Sequence, residues 1–166
     1  MIDHPACRQT AMAFHVRDIC RAIPDGRGRL GEGAMSTDEA EDDALADCLA
    51  ASAERHTSAV AIFETVAAMA RMRCYGSDEA RAIVAQFLDL SEIVLAPIGE
   101  AASEAALMAF ERFGKGRHPA GLNLGDCFAY GCANALGTTL LFKEDDFPRT
   151  DIAVAFPAHP ESGTNC

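Results

Sequence analysis

The sequence predicts an α/β domain in which a short parallel β-sheet is flanked by helices. Two observations lead to this fold class. From residue 36 onward, short apolar stretches alternate with longer segments whose apolar residues recur at helical spacing. The chain also has 166 residues, of which 49% are hydrophobic, and this length suits one domain with a proper core.

Helices are predicted where apolar residues recur every three to four positions. The first opens with a run of acids, which favours the positive end of a helix dipole. The third opens with a serine cap and an acidic first turn, and the fourth ends at a glycine. The predicted helices are 36–55, 61–74, 77–91, 100–114 and 124–136.

Strands are predicted where short apolar stretches lie between these helices. The second is expected to be buried and closed by Pro97, and the last to be an edge strand. Residues 1–35 show no clear pattern, so a divergent N-terminal segment is assigned there, followed by the domain at 36–156 and a tail at 157–166. The predicted strands are 56–60, 92–98, 137–142 and 150–156.

Composition and charge narrow the classes of protein. A net charge of −11 argues against an extensive basic face for nucleic acid. No apolar run reaches membrane-spanning length, so no membrane association is expected. The N-terminus has no apolar export signal, so a cytoplasmic location is expected. The seven cysteines are scattered without a CxxC pair, so neither a disulfide framework nor a zinc site is predicted.

Acidic side chains are expected near the carboxyl ends of the predicted strands. Glu64 follows the strand at 56–60, Asp126 lies in GLNLGDCFAYGCANALG, and Asp145 and Asp146 lie in LLFKEDDFPRTDI. Sites in parallel sheets form at this edge. Converging carboxylates repel one another unless a cation neutralises them, and Mg²⁺ prefers carboxylate oxygens and water. The pattern therefore predicts magnesium-assisted phosphodiester hydrolysis.

Each acid also has a purely structural interpretation. Asp126 can be the third residue of a helix capped by Asn123, where free N–H groups and the helix dipole favour an acid. Glu64 can be a solvated helix acid, although its neighbours are apolar. Asp145 and Asp146 can be turn formers. The residues alone leave both interpretations open.

Three stretches resemble the PIN domain of the VapC type, the ribonuclease half of toxin–antitoxin pairs. The similarity extends from about residue 36 to residue 152 and implies a PIN-like three-layer fold. It implies that the second, third and fourth acids of the family are Glu64, Asp126 and Asp146, with Asp145 as an adjacent possibility for the last. The stretches are TSAVAIFET at 57–65, FGKGRHPAGLNLGDCFAYGCA at 113–133 and LLFKEDDFPRTDI at 140–152.

The resemblance implies a toxin that acts as a metal-dependent endoribonuclease, with Mg²⁺ or Mn²⁺ held by those acids. The basic loop within 111–125 would then contact RNA phosphates through Arg112, Lys115 and Arg117. Asn123 would cap the helix that carries the third acid and orient it. The resemblance also implies a homodimer and inhibition by a cognate antitoxin.

One part of the family pattern is not recognisable in this sequence. PIN domains that resemble it begin with a central strand ending in Asp-Thr-Ser-Ala or similar, and that aspartate is a principal metal ligand. The nearest acids here are Asp25 and Asp18, and neither follows an apolar strand. The N-terminal strand is therefore expected to be altered or missing. This leaves an alternative function, a degenerate and catalytically impaired PIN domain that acts only as a protein-binding module.

Overall fold

The structure is a computed structural model that describes residues 11–12, 48–72, 76–142 and 146–155. Within them, four strands form a parallel sheet that helices flank, so the predicted fold class is confirmed. The elements are β1 (Ala11–Met12), β2 (Arg55–Ser58), α1 (Ala59–Met72), α2 (Ser77–Leu90), β3 (Ile93–Ala96), α3 (Glu100–Phe113), α4 (Leu124–Leu136), β4 (Thr139–Leu140) and a 3-10 helix (Phe147–Arg149). The strands lie in the order β3-β2-β1-β4.

The N-terminal strand is altered, not missing. Ala11 and Met12 form β1 between β2 and β4, with Met12 in register with His56 on one side and Leu140 on the other. The sequence prediction found no strand before residue 36 because two residues are too few to show a period-two pattern. Neither Asp18 nor Asp25 lies within the described residues.

The predicted helices at α1 to α4 are confirmed, with shifts of at most two residues at their ends. The side chain of Ser58 accepts a hydrogen bond from the Ala61 N–H at 3.1 Å, so the chain turns into α1 directly after β2. Of the predicted helix at 36–55, residues 48–51 are helical and the part before residue 48 lies outside the described residues. No helix in the described ranges is long and apolar enough to cross a membrane.

Two predicted strands differ in character from what the sequence suggested. The expected buried strand is β3, but Val94 and Leu95 are exposed because β3 has only β2 beside it among the described strands. The expected edge strand at 150–156 is reduced to one bridge, in which the Leu140 N–H donates to Ala153 O and the Ala155 N–H donates to Leu140 O.

Small residues let α3 and α4 pack closely. Both helices bury alanine-rich faces, and a Cβ added at Gly131 would overlap the Ala102 carbonyl oxygen and lie 2.9 Å from the Ala106 nitrogen. Backbone atoms cannot move aside as a flexible side chain does, so glycine is needed at this crossing. The contact sets the position of α4, and with it the position of every side chain that α4 carries.

We expect Gly131→Val to lower the free energy of unfolding by about 1–3 kcal/mol, because overpacking forces the two helices apart. Urea unfolding followed by circular dichroism measures this change. The control is Ala135→Val, on an exposed position one turn further along α4, which should cost at most about 0.7 kcal/mol of helix propensity. Equal losses in the two variants would contradict the close packing at Gly131.

Candidate active site at the amino terminus of α4

Asp126 closes a capping box at the start of α4. The Asn123 side chain accepts from the Asp126 N–H at 3.1 Å, and Asp126 Oδ2 accepts from the Asn123 N–H at 2.7 Å. Asn123 therefore caps α4, and Asp126 occupies the third position of the capping box. Capping alone does not explain why Asp126 is buried. Its exposed fraction is only 1%, whereas a capping acid can serve equally well at the protein surface.

The carboxylate of Glu64 lies directly against the first turn of α4. A Cβ added at Gly125 would overlap Glu64 Oε2 and lie 2.7 Å from its Cδ and 2.8 Å from its Oε1. Gly125 precedes Asp126 in the chain, so Glu64 of α1 and Asp126 of α4 both lie at the first turn of α4. Two acids separated by more than sixty residues in the sequence thus meet at one helix end.

The acidic surroundings of this pair affect the pKa of the neighbouring thiol, Cys127. Burial, and then the charge of Asp126, raise the pKa of Cys127 to about 11. Burial likewise raises the pKa of Cys132. Both are buried free thiols that stay protonated at neutral pH, as expected of cysteines that serve as small apolar residues. The site is therefore a concentration of negative charge without a nucleophilic thiolate.

Asp146 lies at the start of the 3-10 helix and is half-buried. Its carbonyl accepts from the Arg149 N–H at 3.3 Å, and the next residue, Phe147, is buried against Phe142 with ring centroids 4.9 Å apart. Asp145 lies outside the described residues. Among the residues that the structure places, no three His, Cys, Asp or Glu side chains are grouped closely enough to share a metal ion.

The donor set of the Glu64–Asp126 pair suits magnesium. Mg²⁺ is commonly held by one or two carboxylates, while waters and substrate phosphate oxygens complete its shell. Glu64 and Asp126 supply two hard oxygen donors at the positive end of α4. A pair is therefore chemically sufficient to begin a site, even though a group of three is not formed within the described residues.

The predicted basic loop, residues 114–123, is closed by backbone hydrogen bonds. The Lys115 N–H donates to Leu122 O and the Leu122 N–H donates to Phe113 O, both at 3.0 Å. The side chains of Lys115 and Arg117 are exposed, and the Arg117 guanidinium lies 4.7 Å from the centroid of the Phe110 ring. The loop is thus a fixed platform for positive charge.

Arg112, the third cation of the predicted basic loop, is paired with a carboxylate from another segment. It forms an ion pair with Asp151 at 2.8 Å, and the Tyr130 hydroxyl donates to the second oxygen of Asp151 at 2.8 Å. Burial raises the pKa of Asp151, but the hydrogen bonds from Tyr130 and Arg112, with the charge of Arg112, hold it below its usual range. Burial and the bond to Asp151 raise the pKa of Tyr130. The network therefore keeps its protonation state from weakly acidic to alkaline pH.

Arg149 is a basic residue that the sequence prediction missed. Its guanidinium donates to Pro119 O at 3.0 Å, which brings a cation from the 3-10 helix to the 114–123 loop. The two residues are thirty positions apart, so sequence spacing gave no signal of their contact. The sequence gave one hint, a basic residue three positions after Asp146.

A cavity of about 650 Å³ lies at the opposite end of α4. Its lining includes Asn134, Thr139 and Ala153, together with Tyr130 and Asp151. Neither Glu64 nor Asp126 lines it. The cavity is therefore separate from the acidic pair, and its wall includes one side of the Arg112–Asp151–Tyr130 network.

Comparison with known proteins gives a consistent assignment. A family model described as "PIN domain" matches residues 33–153. "Ribonuclease VapC" of Mycolicibacterium smegmatis is 35% identical over 120 residues, which are 72% of this chain and 91% of that protein. "Ribonuclease VapC30" of Mycobacterium tuberculosis is 59% identical over 56 residues, which are 33% of this chain and 43% of that protein. The chain therefore spans less than half the length of this second relative.

We expect Gly125→Ala to weaken Mn²⁺ binding roughly tenfold or more, on the scale of changes that disturb the setting of a metal ligand. The added methyl group must displace the Glu64 carboxylate, while the helix itself gains about 0.8–1.0 kcal/mol of propensity. Calorimetric titration measures the affinity, and urea unfolding checks that the fold is retained.

The matched control for this prediction is the same change in a Glu64→Ala background. With the carboxylate removed, the methyl group meets nothing that binds metal, so it should cause no further loss. If Gly125→Ala weakened binding equally in both backgrounds, its effect would not pass through Glu64.

Proposed function

Because the chain belongs to the PIN-domain family, we propose that it is a VapC-type toxin, a metal-dependent endoribonuclease that cleaves RNA. The observation that carries the proposal is the meeting of Glu64 and Asp126 at the first turn of α4. A helix end that holds two acids together is costly for folding unless a cation or substrate uses them. The names of the relatives, which are ribonucleases, support RNA as the substrate.

We propose that Glu64, Asp126 and Asp146 hold Mg²⁺ or Mn²⁺, with Asp145 as a further ligand. When bound, the cation would polarise the scissile phosphate and lower the pKa of a water molecule. The contribution of the chain is positional. Asn123 fixes the rotamer of Asp126 through the capping box, and Gly125 leaves room for Glu64 beside it.

RNA is proposed to bind through the platform formed by the 114–123 loop. Lys115 and Arg117 expose positive charge there, and Arg149 joins them through its bond to Pro119. On a chain with a net charge of −11, such a local cluster is needed to bring a polyanion to an acidic site. Arg112, the third predicted phosphate contact, already pairs with Asp151.

A cognate antitoxin and a second copy of the chain are the proposed protein partners. Leu107, Met108 and Phe110 of α3 are exposed large apolar side chains, and Leu124 adds a fourth at the start of α4. Apolar surface of this kind is typical of protein interfaces. An enzyme acting on cellular RNA is expected in the cytoplasm, which is the location we propose.

A catalytically impaired PIN domain is the second candidate. Two observations favour it. No three potential metal ligands are grouped within the described residues, and the sequence has no recognisable Asp-Thr-Ser-Ala strand end near its N-terminus. Such a protein would bind its partner through the same fold and would leave RNA intact. Cleavage assays on the wild-type chain and on the variant below separate the two functions.

We expect Asp126→Asn to reduce RNA cleavage at saturating Mg²⁺ by at least about 100-fold, the scale of loss when a reacting group is misplaced by about 1 Å. Asparagine can still accept the capping hydrogen bond from the Asn123 N–H, so the fold should be retained while the ligand charge is lost. Single-turnover cleavage of a labelled RNA is the measurement.

The control for Asp126→Asn is Asp89→Asn, which removes an exposed acid from α2. Its cleavage rate should equal that of the wild type. A wild-type rate in Asp126→Asn would leave Asp126 as a capping residue alone. A wild-type chain that binds RNA or antitoxin but never cleaves would support the second candidate.

We also expect Arg117→Ala to weaken RNA binding to a similar extent for unrelated sequences, because phosphate contacts carry no base information. The slope of log affinity against log salt concentration should become shallower by about one unit. Filter binding over a range of salt concentrations measures both quantities. Arg81→Ala, an exposed cation on α2, is the control and should leave the slope unchanged. A sequence-dependent loss with an unchanged slope would contradict the phosphate contact.

A further inference from the structure

Asp151 joins three parts of the fold through its two carboxylate oxygens. One oxygen accepts from Arg112, near the end of α3, and the other accepts from Tyr130 of α4. The Arg112 guanidinium also lies 4.6 Å from the centroid of the Phe113 ring, and that ring is 6.1 Å from Tyr130. Asp151 itself belongs to the segment 146–152 that follows β4, so the contacts attach this segment to both helices.

The same segment carries Asp146 at its other end. Between the two acids the chain is held by local bonds: the Thr150 N–H and its hydroxyl both donate to Phe147 O, at 2.9 and 2.7 Å. The Ile152 N–H then donates to the Thr150 hydroxyl oxygen at 3.3 Å. Together with the bond from the Arg149 N–H to Asp146 O, they link the segment from end to end, so fixing Asp151 also constrains Asp146.

The topology directs the segment from the carboxyl end of the sheet toward Tyr130 of α4. Since α4 leads into the start of β4, its first turn lies at the carboxyl end of the sheet, where residues following β4 also emerge. Asp151 contacts Tyr130, which is four residues after Asp126 and therefore on the same face of α4. With Asp151 fixed at Tyr130, the start of the segment at Asp146 lies toward the carboxyl end of the sheet, which is the side where α4 begins.

The basic loop is fixed by the same contacts. Arg112 and Phe113 are the last two residues of α3 before the loop, and His118 of the loop packs edge-on against Phe113 with centroids 5.3 Å apart. From the other side, Arg149 of the 146–152 segment holds Pro119. The segment and the loop are therefore connected at two separate points.

We propose that Arg112, Asp151 and Tyr130 form a positioning network that holds Asp146 and the 114–123 loop in their working places, and that Arg112 serves the site through Asp151 without contacting RNA. The inference rests on the proposed function for its catalytic consequence. Its structural part, the ordering of 146–152 and of the loop, is independent of any activity.

The test compares Arg112→Gln, Asp151→Asn, Tyr130→Phe and the double variant Arg112→Gln/Asp151→Asn with the wild type. Single-turnover cleavage at saturating Mg²⁺ and RNA is measured under conditions in which urea unfolding shows every variant to be folded. We expect each of the first two changes to lower the rate roughly 10- to 100-fold, as small misplacements do. The double variant should lose no more than the worse single variant, because the two residues act as one unit.

RNA binding distinguishes a positioning arginine from a phosphate contact. For Arg112→Gln and Asp151→Asn alike, the slope of log affinity against log salt should equal that of the wild type. A slope shallower by about one unit in Arg112→Gln alone, with a wild-type rate in Asp151→Asn, would overturn the proposal and make Arg112 a phosphate contact. The matched controls are Arg81→Gln and Asp89→Asn, both exposed on α2.

Hydrogen exchange measured by mass spectrometry tests the structural part without reference to cleavage. Asp151→Asn should raise exchange in peptides covering 146–152 and 114–123, while α2 remains as in the wild type. Unchanged exchange there would overturn the proposal even if the rate fell. If exchange is raised but the wild type shows no RNA cleavage that Asp126→Asn reduces, the network is supported and the proposed function is wrong. Raised exchange with an undiminished rate would show a structural tie alone and would also overturn the positioning role.

Discussion

The candidate site depends on how closely α3 and the Glu64 side chain of α1 approach the backbone of α4. Two glycines permit this approach, one on the side of α3 and one on the side of α1. At Gly131, the backbone of α3 occupies the space that a side chain would need. At Gly125, the carboxylate of Glu64 occupies that space. The first contact fixes the depth of α4 in the fold, and the second brings an acid from α1 to the helix end. Without both, Glu64 and Asp126 would be two separate helix acids.

The proposed dual role of Asp126, as a cap and as a metal ligand, follows from where α4 begins. In the capping box, Oδ2 accepts the Asn123 N–H, so the side chain is locked in one rotamer before any ligand arrives. A metal ligand held in this way needs no reordering on binding, and less entropy is lost. The structural and functional interpretations of this residue are therefore not alternatives, because the cap provides the preorganisation that a ligand requires. Burial of Cys127, and then the charge of Asp126, raise the pKa of that thiol.

Local features of the site could be predicted from the sequence, whereas contacts between distant segments could not. The cap at Asn123 depends on residues three positions apart, and helical periodicity gave α1 to α4 within a few residues. The strand at Ala11–Met12 is too short to have a period, and its place in the sheet is set by its neighbours. The pairing of Arg112 with Asp151 joins residues thirty-nine positions apart, for which one sequence holds no signal.

That pairing changes how the positive charge of the loop should be understood. Counting residues in the sequence assigns Arg112, Lys115 and Arg117 to one basic patch, as if every cation faced solvent. In the fold, one guanidinium is committed to an internal carboxylate, and Arg149 joins the patch from another segment. The patch keeps three cations, but one of them now belongs to the segment that carries Asp146. Binding of an RNA phosphate at Arg149 would therefore act on the segment that carries Asp146. Substrate binding would then be coupled, through 146–152, to the position of this proposed metal ligand.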